Sequence, residues 1–489
     1  MQTSRRTTLK MLIAGGAAAT FGGTAQTVLS ANTQPLKIPP LDAGKMKTGV
    51  RHFDLRMGRS SSDFFSNLKT PTYGINGSYL GPTIKLRNGE SVQLNVHNTI
   101  GETSTLHWHG LHLPASADGG PHQQIEHGEN WQAKFDVKQH AATFWYHSHM
   151  MHKTGFQVYH GLAGMIIVED ESTGNRGLPQ DYGIDDIPVI LQDRRFNRDG
   201  TLQYLSSMHD SMMGMHGDNL LVNGTDNPHL TARTNTLRLR LLNGSNARIY
   251  KLSFNDGRQF QKIATDGGLL ERPVATNNII LAPAERAEII VDVSDGKPVS
   301  LVSNTPTQGG MMGRMMGDST KFTVLDIIPE ENRRPAIQLP EKLLTLPTPD
   351  SDKAVRTRQF ELNMGMGMGM MMRRGRAAMT INGKSMDMNR IDEVVKLGTQ
   401  EIWVIDNPTM LSHPFHIHDV QFRILDRNGS MPSDLEAGFK DTVLVRPNER
   451  VRVLLGFADY ADPDRPYMYH CHILEHEDAG MMGQFTVVS

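Results

Sequence analysis

The sequence predicts an all-β protein made of three antiparallel β-sandwich domains in a row. Three observations predict it. The length, 489 residues, suits about three domains of ordinary size. The composition, with 46 glycines, 25 prolines and only short apolar runs, favours strands and turns over long helices. A loose pattern of Asn-Gly turn, strand, turn and strand also occurs three times.

The first copy opens at Ile75-Asn76-Gly77 and runs through Gly81 to Leu86, a Gly89-Glu90 turn and Val92 to Val96. That last stretch alternates apolar and polar residues, as a half-buried strand does. The second opens at Val222-Asn223-Gly224 and leads to Leu237–Leu241, and the third opens at Ile381-Asn382-Gly383 and leads to Ile402–Ile405. Each copy closes on a further strand pattern, at Gly164–Val168, Ala287–Val293 and Val451–Phe457. The expected domains are 36–172, 180–330 and 345–489. The stretch Ile328–Asp352, rich in Pro, Glu and Lys, reads as an exposed interdomain connection.

Residues 1–33 read as a targeting segment. Ser4-Arg5-Arg6-Thr7-Thr8-Leu9-Lys10 precedes a weakly apolar stretch rich in Gly, Ala and Thr. The paired arginines resemble a twin-arginine export signal, with Thr8 where an aromatic residue is usual. A membrane anchor is the alternative, but the stretch falls short of the ~20 mainly apolar residues a span needs. A soluble, periplasmic monomer without stable membrane insertion is expected. The formal net charge of −2 gives no argument for a nucleic-acid partner.

The chemistry is concentrated in four histidine clusters. Tyr469-His470-Cys471-His472-Ile473-Leu474-Glu475-His476 is followed by Met481, and Cys471 is the only cysteine. A thiolate, imidazoles and a more distant thioether form the ligand set of a mononuclear electron-transfer copper. The bland reading is a buried thiol acting as a small hydrophobe, which leaves the neighbouring ligands unexplained. The other clusters are His107-Trp108-His109, His147-Ser148-His149 and His413-Pro414-Phe415-His416-Ile417-His418. On a strand, residues i and i+2 share a face, with side chains about 7 Å apart. The four His-X-His pairs therefore offer eight imidazoles: His107, His109, His147, His149, His416, His418, His470 and His472. Eight are too many for one metal and suit a small cluster between the first and third domains. Cys471, on the opposite face of its strand, can then share another copper with His413, His476 and Met481. Zinc is the competing metal, but its structural sites are closed four-ligand sets without redox use.

These four clusters resemble the signature segments of the multicopper oxidases, and the resemblance covers nearly the whole chain after the targeting segment. It implies cupredoxin-like domains and four copper ions. By residue, His413, Cys471 and His476 match the type 1 copper ligands and Met481 its axial ligand. His107 and His416 match the type 2 ligands. His109, His147, His149, His418, His470 and His472 match the type 3 pair. The resemblance also implies that single electrons enter at the type 1 site and that O2 is reduced to water at the cluster. Asp118 and Glu477 match acidic positions assigned to proton delivery; each could instead be a solvated or turn-forming carboxylate. A weak axial thioether should moderate the copper potential.

The 29 methionines are unevenly placed. One group is Met208, Met212, Met213 and Met215, with His209 and His216 interleaved; a second is Met311, Met312, Met315 and Met316. The third is Met364, Met366, Met368, Met370, Met371 and Met372, spaced by glycines and followed by Arg373-Arg374. Clustered methionine is usually core filler, but a glycine-spaced run is poor core. Thioethers select Cu(I), so the third group reads as a Cu(I)-capturing lid. Its placement is similar to that of the copper-tolerance cuprous oxidases within the family. Here the segment is shorter, and Thr409 stands where those proteins have an acidic residue, with Met410 beside it and Asp406 close by as further candidates for substrate Cu(I). The expected activity is oxidation of Cu(I) by O2 in copper tolerance. The alternatives are a laccase-type oxidase of phenols or other small organic reductants, a copper-storage protein, and a copper-free scaffold.

Overall fold

The structure is a computed structural model that describes residues 33–171, 177–304, 320–365 and 379–489. Six sheets stack as three sandwiches, each around its own apolar core. In the first sandwich, one sheet runs Leu41–Asp42, Thr83–Arg87, Ala163–Glu169, Ala142–His147 and His107–His109. The other is built on Val50–Phe65, Ser91–Thr99 and Asn130–Asp136. The third sandwich repeats this plan: His413–Ile417 lies between Asp462–Cys471 and Thr442–Val445. Most neighbours are antiparallel. Each sandwich also holds parallel pairs, such as Val50–Phe65 with Ser91–Thr99 and Ala354–Met364 with Gln400–Asn407.

The Asn-Gly repeat has a structural cause. Asn76, Asn223 and Asn382 all adopt positive φ, at 55°, 50° and 53°. Asparagine tolerates that region because its short amide bonds to nearby backbone. In each copy the carboxamide clips the turn to the adjacent strand: Asn76 to Arg56 and Asp54, Asn223 to Ile190 and Pro188, Asn382 to Glu361 and Gln359.

Two boundaries differ from the expectation. The short strand Gln34–Pro35 pairs with Pro228–Thr234, and Leu36 packs into the second core. The chain thus enters through the second sandwich before starting the first. The connection after Ile328 is also less free than its composition implies. Its first residues continue the strand Phe322–Arg334, and Leu343, with Leu339 and Leu344, packs against Ile263, Leu269 and Ile290. Spaced leucines strap the segment onto the second domain.

The first and third sandwiches meet across a polar seam. The Tyr467 hydroxyl donates to the Leu113 carbonyl (2.8 Å), and His112 sits between Asp419 (2.7 Å) and Asp459 (3.0 Å). Among the described residues, no helix is long and apolar enough to cross a membrane.

Candidate metal centres

Strand register brings the histidine pairs together. His107 lies opposite His147, and His416 opposite His470. The first and third sandwiches thus each present two His-X-His pairs on one edge, and the edges face each other. Across the seam the His109 ring stacks on His416 at 3.7 Å and His107 on His418 at 4.0 Å. The Nε2 atoms of His149 and His418 each lie 3.2 Å from His470 Nε2. All eight side chains are buried. Burial, reinforced by neighbouring imidazoles, drives His107, His109, His416, His418 and His472 well below the ordinary histidine range, and burial takes His147 to about 3 and His149 to about 4. Neutral imidazole is the form that binds metal.

The far side of these rings is held by acceptors. Nδ1 of His107 donates to the Asp118 carbonyl, that of His147 to the Ser148 carbonyl and that of His416 to the Asp441 carbonyl, each at 2.8 Å. His418 Nδ1 lies 2.9 Å from Asp118 Oδ2. Such bonds fix the tautomer and leave Nε2 with its lone pair inward. His107 Nε2, His416 Nε2 and both nitrogens of His472 are buried without a hydrogen-bond partner. A buried unpaired polar atom costs about 1–3 kcal/mol, so this convergence asks for an electrophile. Donor atoms of His107, His416 and His418, of His107, His109 and His147, and of His149, His418 and His470 each converge within 4.8 Å. Borderline nitrogen donors grouped this way fit a cluster of copper ions.

The two predicted carboxylates both lie at the cage. Burial, then the charge of Asp419, pushes Asp118 well above the usual carboxyl range. Glu477 lies on the other side, Oε1 3.3 Å from His149 Nδ1 and Oε2 3.2 Å from His470 Nδ1. Burial opposes its ionisation, but His149 and His470 outweigh that and hold it well below its ordinary value.

Cys471 faces away from the cage. Its Sγ lies 3.4 Å from His413 Nδ1 and 3.8 Å from His476 Nδ1, and it accepts the Ile473 amide at 3.4 Å. Burial raises the thiol, so without metal it is neutral. Met481 is buried in the same core, and its carbonyl accepts the Cys471 amide at 3.0 Å. His413 Nε2 meets the Thr409 hydroxyl (2.9 Å), and His476 Nε2 meets the Met212 carbonyl (2.9 Å). Both rings therefore turn Nδ1 toward the sulfur. This set fits the mononuclear copper site.

The methionines divide. Met366, Met368, Met370, Met371 and Met372, like Met311, Met312, Met315 and Met316, lie outside the described residues. Met364 is half-buried against the third core, and Met410 is exposed. The first group, Met208–Met213, forms a short helix capped by Ser207 and seated beside the helix Leu474–Asp478 that carries His476. Strand register sets Asp406 opposite Arg450, whose exposed guanidinium pairs with it at 2.6 Å.

Sequence reasoning missed Asp441 and Arg286. Asp441 Oδ1 lies 3.1 Å from His109 Nε2 and 2.7 Å from Arg286 Nη1. Nothing in a lone Asp-Thr or Glu-Arg pair announces this, because the contact spans 332 positions.

Comparison with known proteins finds multicopper oxidases and, beside them, cell division proteins. Multicopper oxidase models match residues 58–173 and 359–489. The multicopper oxidase mco of Staphylococcus aureus is 37% identical over 453 residues, 91% of each chain. The cell division protein FtsP of Xenorhabdus nematophila is 36% identical over 494 residues, covering 100% of this chain and 99% of that one. Among solved structures, CueO from the lignin-degrading bacterium Ochrobactrum sp. superposes with a TM-score of 0.84 at 36% identity, over 93% of this chain and 100% of that one. It is described as a laccase-like multicopper oxidase with oxidase activity towards lignin model compounds and lignosulfonate.

Proposed function

The chain belongs to the multicopper oxidase family, and from that premise we propose that it oxidises Cu(I) to Cu(II) and passes the electrons to O2, which leaves as water, in periplasmic copper tolerance. The observation that carries this reading is the pair of donor sets on one strand: Cys471 faces His413 and His476, while the adjacent His470 faces the cage.

His413, Cys471, His476 and Met481 would hold the type 1 copper, His107 and His416 the type 2 copper, and His109, His147, His149, His418, His470 and His472 the type 3 pair. Bound copper would supply one-electron transfer at the cysteine site and O2 reduction in the cage. The peptide units joining Cys471 to His470 and His472 give the short covalent route between them. Thr409 and the Met212 carbonyl orient the two imidazoles of the electron-entry site. Asp118, raised by burial, faces His418 and His107, and Glu477 faces His149 and His470, so the two carboxyls would serve proton delivery to the cage from either side. Three domains near 36–172, 180–330 and 345–489, with residues 34–36 and 339–344 packed on the second, would frame these sites, behind a twin-arginine signal at 1–33.

Cu(I) is favoured as donor because a methionine-bearing helix adjoins the entry site and a methionine run follows in sequence from its domain. The Met208–Met213 helix meets His476, and the Met364–Met372 run continues from the strand Ala354–Met364 of the same domain as Cys471. A laccase-type activity on phenols is the second reading, favoured by the description of the Ochrobactrum relative. A cell-division scaffold, as the name of the Xenorhabdus relative describes that protein, would have no use for imidazole nitrogens buried without partners.

The test is O2 uptake by the copper-loaded protein with Cu(I) or a phenol as sole donor, before and after deletion of Met364–Met372. Selective loss of Cu(I) turnover is expected. Equal loss with both donors would count against a metal-specific segment, and fast phenol but slow Cu(I) turnover in the intact protein would make it a laccase.

A further inference from the structure

One imidazole in the cage is turned round. His107, His147, His416, His418 and His470 direct Nδ1 at a carbonyl or carboxylate outside the cage. His109 does the reverse: its Nε2 faces Asp441 Oδ1 (3.1 Å) and the Thr442 hydroxyl (3.2 Å), and its Nδ1 faces His147 Nε2 at 3.4 Å. A carboxylate only accepts, so Nε2 carries the proton and Nδ1 the lone pair.

Asp441 is itself held from the second domain. Arg286 uses all five of its donors: Nε to the Thr143 carbonyl, Nη1 to the Ala284 carbonyl and Asp441 Oδ1, Nη2 to the Asp266 carbonyl and Asp441 Oδ2. Thr143 belongs to the strand that ends at His147. The backbone carbonyl of Asp441 accepts from His416 Nδ1. The Arg286–Asp441 pair thus touches strands of both ligand-bearing sandwiches. Its space is reserved by Gly110, directly after His109. A Cβ there would fall 2.3 Å from Asp441 Oδ2 and 2.9 Å from Arg286 Nη2, at a φ of +86°.

We propose that Asp441, clamped by Arg286, is the positioning residue that sets the inverted tautomer of His109, and that through it the second domain, which supplies none of the cage histidines, controls assembly of the cage. The consequence for metal uptake rests on the reading that the cage holds copper; the tautomer claim does not.

Two readouts test it on the full chain. Histidine nitrogen NMR of the metal-free protein, with His109 assigned by its loss in His109→Gln, reads the tautomer directly. Copper analysis with the visible absorption of the cysteine site reads the two centres separately. Asp441→Leu should move His109 away from the Nε2-protonated form. It should weaken cage copper about 10–100-fold while the cysteine-site band persists. Asp441→Asn combined with Arg286→Gln retains an oxygen acceptor without a buried unpaired charge but loses the clamp, so it should keep the wild-type tautomer only in part and hold cage copper more weakly than the wild type and more tightly than Asp441→Leu. Asp441→Leu with an unchanged His109 signal would overturn the proposal, and so would wild-type cage copper in the Asn/Gln pair, because the second domain would then have no hold on the cage. A wild-type cage that takes up no copper would sink the functional reading instead, leaving the NMR result to decide the tautomer claim.

Discussion

The histidine cage and the cysteine site share one strand, yet they are built differently. The cage closes between two sandwiches, its eight rings buried and most of them fixed from outside by a carbonyl or carboxylate. The cysteine site takes its ligands from one sandwich and lies nearer the surface: Thr409 on a half-buried loop and Met212 on a short helix of the second domain orient its histidines. A centre that must hold O2 chemistry away from solvent needs the first design. A centre that accepts electrons from outside needs the second.

The most severe way to break this division is Cys471→Ser. It removes the only thiol at the entry site and leaves the cage intact. Turnover with every donor should fall at least ~100-fold, with about three coppers retained per chain by elemental analysis. Loss of all copper would show that the two regions do not load independently.

Asp118→Asn probes the cage side. The amide preserves an acceptor for His418 but cannot give up a proton. The rate under saturating donor should fall about 100-fold, while the visible band of the cysteine site stays unchanged. An unaltered rate would return Asp118 to a structural role.

Thr409→Val probes the entry side. It removes the partner of His413 Nε2. Copper affinity at the cysteine site should drop roughly tenfold, measured by competition with a chelator, and cage copper should not change.

The smallest effect concerns the seam that keeps the two halves of the cage together. Burial would lower His112, but hydrogen bonds and charge from Asp419 and Asp459 raise it from 6.5 to about 9. Because the folded value exceeds the unfolded one, this stabilisation is complete below pH 6.5 and is lost as pH rises through 9. Asp459 is partly exposed, so about 1 kcal/mol is expected. His112→Gln should therefore lower the melting temperature at pH 6 and leave it almost unchanged at pH 10.

Much of this was legible in the chain. The Asn-Gly turns marked three related domains, since each asparagine performs the same local task at Asn76, Asn223 and Asn382. The His-X-His pairs marked the cage, because two-residue periodicity already puts both rings on one face. What stayed hidden depends on register and on long-range contact. The pairing of Asp406 with Arg450 follows from how two strands align, and the Arg286–Asp441–His109 chain from how three domains meet. Neither leaves a periodic trace. The docking of the Met208–Met213 helix on His476 was hidden for the same reason: its composition signalled soft donors, not their address.

The most direct test of a single four-copper unit is the balance between donor and oxygen. Copper-loaded protein is mixed with a known amount of donor, and O2 uptake and H2O2 are measured together. The account predicts about four electrons per O2 with no peroxide released. About two electrons per O2 with peroxide accumulating would contradict it, because the entry site would then be reacting without the cage.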